Sequence, residues 1–537
     1  MAKYAANCFK IRGYSTGSTA KSRRHAILGR DGLQLFSLNV IFCMKRKSPA
    51  STTAPKQAVY QPPSALTQQA LELFAQGNCQ EVLNLLAYAD PRQADDAAFL
   101  NIAAACEISV GVSARAEAYL RRALELAPNF ADAWHNLGNL LRDSRRLQEA
   151  GACFRQALSL RPGFADAYAD QGQLLALQGL EAEAEKNYRR ALSLKPDCAA
   201  AELSLAILLL SQGHWREGLR RYEARCALPG FTLLNAALAH LPFPKWQGQD
   251  LQGKSIVLWP EQSYGAQIQF CRYAAVLKRL GAAKITLVCD AALTGLFKSL
   301  AAVDMVIAKT DTARLAGHDY WSPLLSLPLH CATTLDNLPA ELPYLQPRPR
   351  ELARWARKLP AQGLRVGLAW QDAGEHSQDR FRSLPDLPSL AALWDVPGVV
   401  FISLQPGSGS AAPPTAQPLL ALGEQRRDFA ATAAIVAQLD LLICVDTAVA
   451  HLAGALGTPC WLLLQKPATD SLWLRGRSDS PWYPGVMRLF RQPVAGDWGP
   501  VIAEAAQALP AWSRTASTAK RQKPPAWAGR FRAWLGV

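Results

Sequence analysis

The apolar positions of this chain obey one rule before residue 230 and another after residue 250. In the first stretch they return with a period of 34: ADAWHNLG (131–138) recurs as ADAYADQG (165–172). Across that step Trp134 matches Tyr168, Gly138 matches Gly172 and Ala150 matches Ala184. Phe154 likewise matches Tyr188, Ala157 matches Ala191 and Pro162 matches Pro196. Small residues where helices cross, an aromatic on each helix and a proline in the linker are what stacked helical hairpins require. One period back, Leu100, Ala104, Ala116, Leu120 and Pro128 hold the same phases; one period forward, Leu205, Ala206, Gly218 and Tyr222 do. A weaker unit begins near Ser64, so about five repeats fill 64–230.

After residue 250 short unbroken apolar runs alternate with helical stretches. SIVLW (255–259) reads as a strand, YGAQIQFCRYAAVLKRLG (264–281) as a helix stopped by glycine, and ITLVCD (285–290) as the next strand. ALTGLFKSLAAVDMVI (292–307) adds a helix and a strand, and a second series runs from RVGLAW (365–370) through FISLQPG (401–407). Such alternation builds parallel sheets covered by helices, which predicts two Rossmann-like domains facing across a cleft. The predicted fold class is α + α/β, a helical solenoid followed by two Rossmann-like α/β domains. The predicted divisions are a disordered basic segment 1–63, repeats over 64–230, α/β domains over 250–360 and 361–510, and a basic tail 511–537. The Gly/Pro/Ser-rich stretch 407–418 reads as a mobile loop.

Residues 439–464, LDLLICVDTAVAHLAGALGTPCWLLL, carry the clearest functional signal. Leu441–Val445 has the length and unbroken apolarity of a parallel strand covered on both faces. Asp446-Thr447 supplies N-cap chemistry, Ala448–Leu456 a short helix, Gly457 its stop, and Cys460–Leu464 the next strand. A helix that starts directly after a buried parallel strand aims its free N–H groups and positive dipole end at the carboxyl edge of the sheet, where phosphates bind. Asp446 and Thr447 have the alternative reading of plain helix caps, and His451 that of a half-buried side chain on an apolar helix.

The stretch DTAVAHLAGALGTP, with SDSPWYPGVMRLFRQ (478–492) behind it, resembles the donor-binding half of the heptosyltransferase-like glycosyltransferases. More closely, it is similar to the bacterial branch in which such a domain follows tetratricopeptide repeats (TPR), a resemblance that runs from about residue 65 to 510. It implies a GT-B architecture, with acceptor bound by the first Rossmann-like half and a nucleotide-diphosphate sugar by the second. The implied reaction is an inverting, metal-independent hexosyl- or heptosyl-type transfer with no tightly bound cofactor. On this resemblance Asp446, Thr447 and the N–H groups of Ala448 and Val449 cradle the donor phosphates, with His451 within reach. Trp370 ends a strand at the cleft edge, and the loop behind it carries Arg380, Arg382 and Ser383, whose guanidinium forks suit a diphosphate. Gln405 sits at the same edge. Gln371-Asp372 departs from the family pattern and brings an acid near the proposed diphosphate. So does Gly265-Ala266, because the family places there the carboxylate that accepts the acceptor hydroxyl's proton. Glu261, five positions earlier, is the candidate replacement base; its other reading is a loop carboxylate that caps the helix.

Composition narrows the partners. The formal charge of +15 is concentrated at the ends: residues 1–56 hold eleven Lys/Arg and one acid, and residues 511–537 hold six Lys/Arg and no acid. The part between has no basic surplus, so nucleic acid is not an expected partner. The tails read either as solubilising ends or as peripheral contacts for an acidic inner-membrane surface. Met44, followed by KRKSPASTTAPK, offers a second start. No run reaches the ~18 apolar residues of a membrane span. Twelve scattered cysteines without a C-x-x-C pair suggest a reducing cytoplasm, and no D-x-D pair or His/Cys spacing suggests a metal. Two functions follow: a glycosyltransferase acting on a protein or glycan acceptor presented by the TPR groove, or an inactive TPR scaffold mediating protein–protein interaction.

Overall fold

The computed structural model describes residues 64–90, 95–228, 231, 238, 241–311, 315, 317–371, 382–394, 396–406, 419–466 and 471–522. Residues 1–63 and 523–537 lie outside these, as do Arg380, Asp372 and the stretch 407–418, whereas 511–522, expected as tail, continue the helix that begins at Gly499.

Among the described residues ten helices form hairpins in sequence order: α1 (Ala65–Ala75), α2 (Cys79–Tyr88), α3 (Ala97–Ser109), α4 (Ser113–Leu126), α5 (Ala131–Asp143), α6 (Leu147–Leu160), α7 (Ala165–Leu177), α8 (Glu181–Leu194), α9 (Ala199–Ser211) and α10 (Trp215–Tyr222). The matched glycines mark where the helices of a hairpin cross. A Cβ built on Gly138 would lie 2.7 Å from the Phe154 ring, and one on Gly172 would lie 2.6 Å from the Tyr188 ring. Glycine and aromatic therefore repeat together because one makes room for the other. Each hairpin is also closed on itself by a recurring ion pair: Arg161 meets Asp132 at 2.5 Å, and Lys195 meets Asp166 at 3.2 Å one period later. Asp170 joins neighbouring first helices, accepting from Asn139 and Arg142 at 3.0 Å and facing His135 Nε2 at 2.6 Å.

Two parallel sheets follow. The first has order β3-β2-β1-β4, built from β1 (Ser255–Trp259), β2 (Lys284–Cys289), β3 (Met305–Ala308) and β4 (Tyr320–Pro323). Its helices are α11 (Tyr264–Phe270), α12 (Tyr273–Arg279) and α13 (Ala291–Phe297), and α14 (Pro349–Ala356) leads out of it. The second sheet has order β10-β9-β8-β5-β6-β7, from β5 (Leu364–Ala369), β6 (Val399–Ser403), β7 (Leu419–Ala421), β8 (Leu441–Val445), β9 (Cys460–Leu464) and β10 (Met487–Arg491). Between its strands run α15 (Phe429–Val436) and α16 (Ala448–Leu456), and α17 (Gly499–Gln522) closes the unit. The central strands β8 and β9 are buried at every residue, as their unbroken apolar runs require. Strand order reverses between β1 and β4 in one sheet and between β5 and β8 in the other. Those are the two places where open parallel sheets hold ligands.

The single helix expected over 264–281 is broken in two. Cys271 Sγ and Arg272 Nε donate to the carbonyls of Ile268 and Gln269, and the Arg272 guanidinium turns outward to another segment. The two α/β units meet through helices: α11 packs on α16, and α13 on α15. Among the described residues no helix is long and apolar enough to cross a membrane.

Gly172→Ala forces a methyl group onto the Tyr188 ring. We expect this overpacking to destabilise the helical hairpins by about 1–3 kcal/mol. The check is the urea midpoint of the 222 nm circular dichroism signal; an unchanged midpoint would refute the crossing.

Candidate functional site

β8 delivers Asp446 and Thr447, both buried, to the carboxyl edge of the second sheet. Thr447 has extended backbone (φ −138°, ψ 168°) and is the residue from which α16 departs, yet its side chain makes no capping hydrogen bond. Its Oγ1 is buried and has no hydrogen-bond partner among the described residues. A threonine at this position ordinarily bonds a first-turn N–H group. Among the described residues no group answers the hydroxyl or the N–H groups of Ala448 and Val449, whereas the Ala450 N–H group donates to Thr447 O at 3.0 Å. The plain-cap reading of Thr447 therefore does not fit its geometry.

His451, one turn into α16, is buried with Nδ1 2.9 Å from Tyr483 Oη and its ring stacked on Trp473 at 5.1 Å. Burial pushes its pKa down to about 3, and the positive charges of Arg272 and Arg382 add to the effect. The ring is therefore neutral at physiological pH, and Arg382 is close enough to act on it. The opposite wall comes from the first unit. A Cβ on Gly265 would lie 2.8 Å from His451 Cδ2 and 3.6 Å from Ala448 Cα, so only a glycine lets α11 approach this closely.

The loop behind β5 closes on the same edge. Gln405, at the end of β6, accepts from the Gln371 N–H group at 2.9 Å, and Gln371 Nε2 donates to Pro385 O at 2.8 Å. Arg382 and Ser383 follow, both half-buried. Trp370 is different: its side chain fills the hydrophobic core with Leu368, Leu384 and Trp394, so the expected ligand contact by Trp370 gives way to packing. It is on the inner face because strand residues alternate and Val366 and Leu368 share its side.

Glu261 also departs from expectation. Its side chain is fully buried, with Arg225 Nε at 2.8 Å from one carboxylate oxygen. The other oxygen takes Arg225 Nη2 at 3.1 Å and the Leu325 N–H group at 3.2 Å. Arg225 comes from the end of the repeats and also donates to Ser326 at 2.8 Å. Glu261 lies behind β1 and Leu325 behind β4, so this cluster fills the crevice where the first sheet reverses its order. Burial raises the Glu261 pKa against the lowering pull of Arg225, but both carboxylate oxygens are already engaged, so in this structure Glu261 joins the repeats to the first sheet. Ala266 is buried in the apolar layer it shares with Val449 and Leu452.

Sequence reasoning missed three contributors. Arg272 donates to Trp482 O at 2.8 Å, Pro339 O at 3.1 Å and Tyr344 Oη at 2.9 Å. Tyr483, in the SDSPWYPG stretch, orients His451. Arg426, behind β7, donates among the described residues to the neutral groups Gly423 O at 3.2 Å and Thr432 Oγ1 at 3.5 Å, and burial lowers its pKa. An arginine between Phe270 and Tyr273 in an otherwise apolar helix was the available signal for Arg272; nothing local distinguishes Arg426. Among the described residues no group of three or more His, Cys, Asp or Glu side chains could hold a metal ion. The arrangement offers hydrogen-bond donors and positive charge to an anion at the reversal between β5 and β8.

Residues 131–164 and 165–198 each match the tetratricopeptide repeat family. Protein FlbA of Caulobacter vibrioides is 29% identical over 318 residues, which is 55% of this chain and 52% of that protein. The chain thus spans about half the length of the curated relative it matches. Among solved structures, the glycosyl transferase family 9 protein of Veillonella parvula is similar over 50% of this chain and 98% of its own, with 12% identity and a TM-score of 0.39. A thermophilic TPR protein of Thermus thermophilus is similar over 33% of this chain and 97% of its own, with 22% identity and a TM-score of 0.29. The chain contains TPR repeats.

The buried neutral His451 makes stability pH-dependent. Its folded pKa is below the ordinary value of 6.5, so protons bind the unfolded chain first and this residue disfavours folding increasingly as pH falls from about 6.5 towards 3. At pH 5 the loss from this one group is about 2 kcal/mol. The stability advantage of the wild type over His451→Asn should accordingly shrink between pH 7.5 and pH 5 in urea titrations. A constant difference would show that His451 is not held neutral.

Proposed function

We propose that this protein is a TPR scaffold whose paired α/β units bind a nucleoside diphosphate or nucleotide sugar in a GT-B-like manner, with sugar transfer lost or strongly weakened. The observation that carries the binding half is the Thr447 hydroxyl at the start of α16, buried and without a partner among the described residues. A strand-to-helix junction with open N–H groups and a nearby arginine fits a diphosphate, and the resemblance of DTAVAHLAGALGTP to donor-binding segments points the same way. Asp446, Ala448, Val449, Arg382, Ser383 and Gln405 complete the proposed donor contacts, with Arg380 on the same loop outside the described residues.

The scaffold half rests on the acceptor side. An inverting transfer needs a base for the acceptor hydroxyl, and Ala266 supplies no carboxylate. Glu261 is bound to Arg225, which fills the crevice an acceptor would use. In this reading the repeats recruit a protein partner while the ligand-bound α/β pair stabilises or signals the assembled state. An active enzyme acting on a protein or glycan presented by the repeats is the second reading. Arg382, Thr447 and His451 on one junction favour it, because that donor side is what transfer would also need. We assign the protein to the cytoplasm, with the basic tails as peripheral contacts for an acidic membrane surface.

Titration calorimetry with UDP, ADP and GDP and their sugar conjugates tests the binding half. One of these should bind, and Thr447→Ala with Arg382→Ala should together weaken it by about 2–4 kcal/mol. Unchanged affinity in both single variants would remove the assignment.

Transfer is tested separately, by nucleoside diphosphate release from the bound sugar conjugate with candidate acceptors. We expect no sustained release from the wild type. Steady turnover by the wild type would favour the enzyme over the scaffold.

A further inference from the structure

His451 is held by two side chains, and both belong to segments that also touch the repeats. Tyr483 bonds its Nδ1, and the preceding residue, Trp482, stacks on Trp215 of α10 at 5.4 Å and 29°. Trp473 stacks on its ring, and two residues later Arg475 donates its N–H group to Ser211 O of α9 at 3.0 Å. The Arg475 guanidinium pairs with Glu181 of α8, which Gln212 holds at 3.1 Å. Leu335, from the segment between the α/β units, lies against Gly213. Trp482 also meets Phe270 of α11 edge-on at 5.6 Å, so it touches all three parts of the molecule.

These contacts are packed throughout. Trp215, Trp473, Trp482 and Tyr483 are all buried, and the Tyr483 ring occupies the space where Gly454 of α16 would carry a Cβ, 2.3 Å from it. A shift of the last repeats relative to the second sheet therefore moves residues 473–475 and 482–483, and they in turn move His451 and the start of α16. Tight aromatic packing has few intermediate arrangements, so such a shift is passed on and not absorbed.

We propose that the last two repeats are a working part of the anion site, setting the position of His451 and Thr447 through Trp215–Trp482–Tyr483 and Glu181–Arg475–Trp473, so that partner binding to the repeats regulates ligand affinity. This regulation rests on the phosphate-site reading above. Trp215 and Glu181 act as positioning residues, without contact to the ligand themselves.

The test uses the full chain with Trp215→Ala, Trp215→Phe, Glu181→Gln and, as a control in a repeat far from the junction, Trp134→Ala. Two readouts are taken: calorimetric affinity for UDP, ADP and GDP, and amide hydrogen exchange. We expect Trp215→Ala and Glu181→Gln to weaken nucleotide binding about 3- to 30-fold. Trp215→Phe should restore most of it, and Trp134→Ala should leave it unchanged. Without any ligand, Trp215→Ala should speed exchange in 446–452 and 482–485 while exchange in 131–177 stays as in the wild type. If the unaltered chain binds none of the nucleotides, the phosphate reading fails, and the exchange pattern still decides whether the repeats position His451. If Trp215→Ala does not fold, Glu181→Gln decides by the same two readouts. Folded variants with wild-type affinity and wild-type exchange at 446–452 would overturn the proposal, as would faster exchange spread evenly over the whole chain.

Discussion

A guanidinium buried among carbonyl oxygens and aromatic rings is the constraint on which this architecture depends. Arg272 leaves the first unit where its helix is broken and donates to the main chain of Trp482 in the second and to Pro339 and Tyr344 between them. The rings of Tyr344 and Tyr483 cover it at 4.3 and 4.7 Å. A charge taken out of water is tolerated only when its donors are satisfied and its surroundings polarisable. With acceptors drawn from three segments, the two α/β units have a single compatible arrangement, and the broken helix is the local cost of reaching them.

That arrangement treats the two ligand crevices differently. At the second sheet it brings Gly265 against His451 and leaves the hydroxyl of Thr447 without a partner among the described residues. At the first sheet the corresponding space is taken by Arg225, whose charge is met by Glu261 and Glu223. Among the described residues one crevice is polar and unanswered; the other is polar and complete. An enzyme joining two substrates needs both open, whereas a binding module needs one.

Much of this was legible in the sequence, for physical reasons that also explain the failures. The repeats could be read because Gly138 and Phe154 constrain one another and recur together. The strands could be read because a parallel strand covered on both faces is apolar at every position. At Thr447 the sequence located the residue but left two roles open, since capping and ligand binding use the same hydroxyl; only the missing capping bond separates them. Glu261 was misjudged because its partner, Arg225, is 36 residues away, beyond any local pattern. Trp370 was assigned by its place at a strand end, whereas strand alternation with Val366 and Leu368 sends its ring into the core. Arg272 drew no attention because a lone arginine in an apolar helix has no meaning until its acceptors are known.

The polar contacts that link one hairpin to the next, Glu117 with Arg146 and Asp170 with Arg142, involve neighbouring repeats only, whereas the contacts to the α/β units come from α8 to α10 and the segment just after them. Growth and loss of repeats are therefore unequal along the array. A gene duplication that inserts a hairpin ahead of α7 meets surfaces already suited to it and leaves the junction untouched. One inserted after α8 separates Trp215 and Glu181 from their partners. The amino-terminal end of the array is free to diversify in length and partner, while its last turns evolve under the same constraint as the core they touch.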